Sequence, residues 1–356
     1  MPRKVTGQIL LVFLSLFLFN DVSSGSFDDG SDLLIKPVRL TEYWDEYASQ
    51  RELTPIKNVF WQGPTHLGQI SGVSVDPSGY PVIFHRADRI WEFSTFTKEN
   101  VYTERDKGPI TEDTVLTLDP GSGNILRGWG RNMFYLPHGI HVDNFGNVWL
   151  TDIALHQVFK FNSSGRLKLI LGKRFKPGND LNHFCQPTSV AVAPLNGNVF
   201  IADGYCNNRI VLYDSMGNSI RSIDEHPLVL NIPHSLTILS NGDLCVADRE
   251  NGRVICTLGL AGLRTKYIGR KYSIPVRGRI FGVASYNNTI YAVGTVRCGG
   301  TCAMGYTIDT YFLVFNVWPT AFNFQNPHDI AIDQRSKSLY VSEIGPNRIE
   351  KFDLLP

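Results

Sequence analysis

The chain has 356 residues, 43% of them hydrophobic and 19% charged, with 32 glycines and 19 prolines. That balance belongs to an ordered, turn-rich globule and excludes both a disordered chain and a coiled coil. A formal net charge of +1, with no run of lysine and arginine, gives no case for nucleic acid as a partner.

Arg3 and Lys4 precede an apolar run from Ile9 to Phe19, and small residues follow from Val22 to Gly25. This reads as a signal peptide over residues 1–25. The run is short for a membrane span, and no later stretch is apolar enough to make one. Residues 26–57 are acidic and then mixed, contain Pro37 and Pro55 and keep no period. They read as an N-terminal lead-in to one domain over residues 58–356.

Repetition organises that domain. The stretch PHGIHVDNFGNVWLTDIALHQVFKF, from Pro137 to Phe161, joins a histidine at a strand start to two short strands, and the same outline returns from Pro187, Pro233 and Pro327. An earlier unit, SGVSVDPSGYPVIFHRADRIWEF, covers residues 71–93, and a degenerate one, FGVASYNNTIYAVG, starts at Phe281. The aligned starts are Gly72, His138, Thr188, His234, Phe281 and His328; after the long first interval the spacings are 50, 46, 47 and 47 residues. Six units of about four strands each predict an all-β fold, a six-bladed β-propeller. An irregular β-sandwich would not repeat the same residue types at the same strand position. Residues 94–136 read as one strand followed by a Gly-rich rim loop. Either the N-terminal segment or the C-terminal strand closes the ring, and the final IEKFDLL is a candidate strand beside the first blade.

Equivalent inner-strand positions in a propeller face one region of the central channel. His138, His234 and His328 hold that position in units two, four and six, so they are related by roughly 120° and their imidazoles converge. Three imidazoles with an open fourth position suit a catalytic zinc ion. His66, His141, His156, His183 and His226 lack this phase and read as ordinary structural residues. Asp329 faces the other way from His328. It packs within its blade or faces a second ion, calcium held partly by backbone carbonyls being one solution. Arg86, Tyr205 and Arg249 each follow the second strand of a unit, where a rim loop reaches back over the channel. An arginine there can grip a carboxylate, and a tyrosine beside a metal can exchange a proton.

All six cysteines follow the signal segment, which suits an oxidising compartment. Repeat logic pairs Cys185 with Cys206 and Cys245 with Cys256, and Cys298 pairs with Cys302 across a Gly-Gly turn. Asn162 (NSS) and Asn287 (NNT) are glycosylation sequons in expected turns.

FHRADRIW, LPHGIHVDNFGNVWLTDIALHQVFKF, CQPTSVAV, ADGYCNNRI, PHSL, CVADRENGRV and NPHDIA, arriving in this order, resemble peptidyl-α-hydroxyglycine α-amidating lyase, an NHL-type propeller. The likeness covers nearly the whole chain after the signal segment. It implies zinc on His138, His234 and His328, and a structural calcium ion on Asp329 and the backbone oxygens of Val73 and Ile140. It also implies a catalytic Tyr205 with Arg86 and Arg249, and two of the disulfides, Cys185–Cys206 and Cys245–Cys256; Cys298 and Cys302 are additional to that pattern. The implied reaction splits the C–N bond of a peptide ending in α-hydroxyglycine, giving a peptide amide and glyoxylate.

Where a member of that family has a methionine before the last Pro-His-Asp, this chain has Asn326. Many family members are fused behind a copper-dependent monooxygenase that makes the hydroxyglycine. This chain has no room for that domain, so a separate peptidylglycine hydroxylating monooxygenase is the expected supplier. A monomer is expected, stored in secretory granules or secreted. The competing readings are a propeller hydrolase acting on lactones or esters and a non-enzymatic binding propeller. Such hydrolase sites centre on calcium held by carboxylates and asparagine, and mere binding leaves the histidine trio without a use.

Overall fold

The computed structural model describes residues 53–223, 229–257, 271–275, 278–298, 300–309, 314–319 and 324–356. The signal segment, most of the lead-in and His226 lie outside these residues.

Six four-stranded antiparallel sheets form the blades of a six-bladed β-propeller. The first strand of each blade, such as Ile70–Val75, Pro137–Val142 or Pro327–Asp333, lies innermost, and residues from all six surround one central cavity. Burial follows from this position. The second strands Val148–Asp152, Val199–Asp203 and Leu244–Asp248 are buried at every residue because neighbouring blades cover both faces. The outer strand Ile125–Trp129 faces solvent along most of its length. Tight turns join first to second strands: the Asp143 carboxylate accepts the N–H groups of Phe145 and Asn147, and Gly146 takes φ 76°, where a Cβ would be strained.

The ring closes within one sheet made from both ends of the described chain. In the sixth blade Thr54–Lys57 lies outside the C-terminal strand Asn347–Leu355, with Thr54 opposite Leu355 and Lys57 opposite Phe352. The IEKFDLL strand therefore sits in the last blade, between Ser338–Ile344 and Thr54–Lys57, and not beside the first. The reason is pairing: the sixth unit brings only three strands of its own, and the N-terminal strand supplies the fourth ladder of hydrogen bonds. The Gly-rich stretch before Pro137 differs likewise from a rim loop, because Ile125–Trp129 pairs with Val115–Leu118 as the outer strand of the first blade.

Close packing around the axis sets local sequence. A Cβ on Gly139 would stand 2.3 Å from the Thr188 carbonyl oxygen, so the residue after His138 must be glycine for adjacent inner strands to approach.

A second device positions the inner strands. The acid ending the second strand of a blade accepts N–H bonds from the segment that enters the inner strand of that blade. Asp152 takes those of Tyr135 and Leu136, Asp203 that of Cys185, Asp248 that of Asn231, and Glu343 those of Gln325 and Asn326. Three of the four acids thus clamp the backbone two or three residues before a channel histidine. Buried donors that would otherwise lack partners explain why an acid is kept there.

Candidate active site and metal centre

His138, His234 and His328 come together in the channel. One nitrogen from each lies within 4.8 Å of the others, and all three side chains are buried. Their Nδ1 atoms bond to carbonyl oxygens of the following blade: His138 to Thr188 at 2.8 Å, His234 to Phe281 at 2.6 Å and His328 to Ser71 at 2.7 Å. A carbonyl only accepts, so each Nδ1 carries hydrogen and each Nε2 keeps its lone pair. Burial, then the neighbouring imidazoles, holds His138 and His234 well below the ordinary histidine range, and burial brings His328 down to about 3. Three neutral, aligned imidazoles fit a divalent metal ion, and their backbone bonds orient them for it.

Tyr205 follows the second strand of the third blade and reaches this cluster. Its hydroxyl stands 2.9 Å from His138 Nε2 and 3.1 Å from His234 Nε2. Burial pushes the phenol above its usual range, while Arg249 and Arg86 pull it the other way. The Arg249 guanidinium lies 5.2 Å from the Tyr205 ring centre and pairs with Glu250 at 2.8 Å. The buried Arg86 is anchored by Nε to the Pro137 carbonyl at 2.9 Å and by Nη1 to Gln69 Oε1 at 2.8 Å. Its Nη2 is buried with no hydrogen-bond partner, an arrangement suited to an incoming carboxylate. Burial lowers this guanidinium to about 10, so it stays charged at neutral pH.

Behind the histidines a void of about 10 Å³ is bordered by His138, His234, His328 and Asp329. Beyond it the channel widens to a cavity of about 700 Å³ that Asp329, Val73 and Ile140 all line. Asp329 Oδ2 accepts the Val73 N–H at 3.1 Å; burial pushes its carboxyl up to about 7, against the Val73 and Ile330 N–H groups.

The NHL-repeat family profile matches residues 184–213 and 230–256, the third and fourth blades. A peptidyl-alpha-hydroxyglycine alpha-amidating lyase 2 from Drosophila melanogaster is 43% identical over 307 residues, covering 83% of this chain and 73% of the relative. The chain belongs to the peptidyl-α-hydroxyglycine α-amidating lyase family. A peptidyl-glycine alpha-amidating monooxygenase B from Xenopus laevis is 40% identical over 82% of this chain, which spans 35% of that protein's length. In fold alone, the structure of a virginiamycin B lyase from Staphylococcus aureus is similar at 16% identity, with a TM-score of 0.51, covering 85% of this chain and 88% of the other.

As a member of this lyase family the chain is a metal-dependent enzyme. Its disulfides Cys185–Cys206, Cys245–Cys256 and Cys298–Cys302 agree with a secretory or extracellular location. No helix among the described residues is long and apolar enough to cross a membrane. Asn326 spends its side chain on the Gly345 carbonyl at 2.7 Å. Reasoning from sequence missed the acids behind the histidines, although TD, AD, AD and SE recur at the ends of the second strands. It also missed Trp91, whose ring lies 4.6 Å from that of Tyr205.

Proposed function

We propose that this lyase binds zinc on His138, His234 and His328 and cleaves the C–N bond of peptides ending in α-hydroxyglycine, releasing the α-amidated peptide and glyoxylate. The observation that carries the reading is the Tyr205 hydroxyl beside two imidazole lone pairs, with Arg86 presenting a free N–H to the same site. Zinc held there would supply Lewis acidity to the substrate hydroxyl. Arg86 binds the terminal carboxylate through its unpaired Nη2 and fixes the peptide end. Tyr205, as phenolate, takes the hydroxyl proton. The electron pair of that O–H bond forms the aldehyde C=O of glyoxylate, and the C–N pair leaves with nitrogen, which gains a proton to become the amide. Arg249 stabilises the phenolate through the face of the ring.

Asp329, with the backbone oxygens of Val73 and Ile140, serves as a structural calcium site; its support is that all three residues line one cavity behind the histidines. Asn162 and Asn287 carry glycans, and a separate copper-dependent hydroxylating monooxygenase supplies the substrate in secretory granules or outside the cell. The test is release of glyoxylate and amide from a synthetic α-hydroxyglycine peptide, with metal analysis of the same sample. Fully oxidised, metal-supplied protein that holds no zinc and releases no glyoxylate overturns the assignment.

A further inference from the structure

We propose that Trp91 is a positioning residue that holds the Tyr205 phenol in its working geometry; this rests on the role assigned above to that side chain. Trp91 belongs to the excursion between the second strand Pro81–His85 and the third strand Val115–Leu118 of the first blade. Its ring meets that of Tyr205 edge to face, with centres 4.6 Å apart and planes at 65°. The Arg86 guanidinium lies 5.9 Å from the same indole. Behind it, Phe96 stands 5.4 Å away and is braced in turn by the buried Tyr102 at 5.8 Å.

Tyr205 is therefore boxed. His138 and His234 stand at its hydroxyl end, Arg249 lies against its ring, and Trp91 is another wall. The wall comes from a different blade and from a segment outside the sheet, so the blade that carries Tyr205 does not by itself set the phenol's position. Without the indole, rotation of the tyrosine side chain carries its hydroxyl away from the two Nε2 atoms. Arg86 keeps its Pro137 and Gln69 bonds and with them its place. A displacement of about 1 Å at a reacting group can cost roughly 100-fold in rate.

The experiment compares Trp91→Ala, Trp91→Phe, Tyr205→Phe and the Trp91→Ala/Tyr205→Phe double variant as metal-loaded enzymes on a peptide ending in α-hydroxyglycine. Trp91→Ala should lower kcat roughly 100-fold with bound metal unchanged, and Trp91→Phe should recover most of that loss. On the Tyr205→Phe background, Trp91→Ala should add little, because it acts through the phenol. Losses that multiply overturn the inference while leaving the tyrosine's catalytic role standing. Tyr205→Phe with wild-type turnover removes that role, and this inference with it. A crystal structure of Trp91→Ala decides the matter independently of rate: a displaced Tyr205 hydroxyl supports the inference, and an unmoved phenol overturns it.

Discussion

The Tyr205 hydroxyl lies 2.9 Å from His138 Nε2, on the side of the imidazole that a metal ion would use. The tyrosine and the three-histidine cluster are thus one unit drawn from four blades. Because the tyrosine is not needed to orient the histidines, Tyr205→Phe should keep its metal while turnover falls by roughly 10²–10⁴-fold, the usual worth of a positioned acid–base group. Metal analysis beside glyoxylate release checks both halves.

His234→Ala removes one of three ligands. Metal affinity should fall by more than the roughly 10–100-fold typical of losing a ligand's hydrogen-bonding partner. The fold should persist, since the blade ladders and disulfides do not depend on this imidazole. Metal titration and a thermal melt separate the two; a collapsed fold that still held metal would contradict this division.

Arg249 favours the anionic form of the phenol, so Arg249→Gln should raise the phenol's pKa further above the ordinary tyrosine range. If phenolate is the base, activity rises with pH through that ionisation, and the variant's rising limb moves to higher pH. The measurement is kcat/KM against pH. A limb that stays in place would show that the ionisation belongs to another group.

Asp248 and Asp203 occupy equivalent places in neighbouring blades, but only Asp248 clamps a segment leading to a metal-site histidine. Both carboxylates are buried and paired with arginine, so Asp248→Ala and Asp203→Ala should each cost roughly 3–5 kcal/mol in stability. Only Asp248→Ala should also weaken metal binding, by about 10–100-fold. Equal metal affinities in the two variants would dismiss the clamp as a positioning device.

The Cys185–Cys206 bond ends one residue after Tyr205 and closes a sequence separation of 21. Replacing both cysteines with serine should cost about 3 kcal/mol by loop-closure entropy. It should lower turnover more than removing Cys245–Cys256, which joins paired residues of adjacent strands away from the tyrosine. Melting temperatures and turnover of the two double variants make the comparison.

The repeat, its phase and the place of His138, His234 and His328 within it follow from sequence alone, because identical short units fold alike and present equivalent residues to one axis. Val73, Ile140 and Asp329 are grouped only by the family resemblance; all three line one cavity. Tertiary structure decided what depends on distances between units. The Thr54–Lys57 strand completes the last blade because ring closure leaves an unpaired edge there. Tyr205 reaches two histidines of neighbouring blades, Arg86 keeps one N–H free, and Trp91 crosses from the first blade to wall in the phenol. Periodicity encodes the backbone of each unit. It carries no information on how a side chain from an irregular excursion packs against another blade, since that contact exists only after the ring has closed.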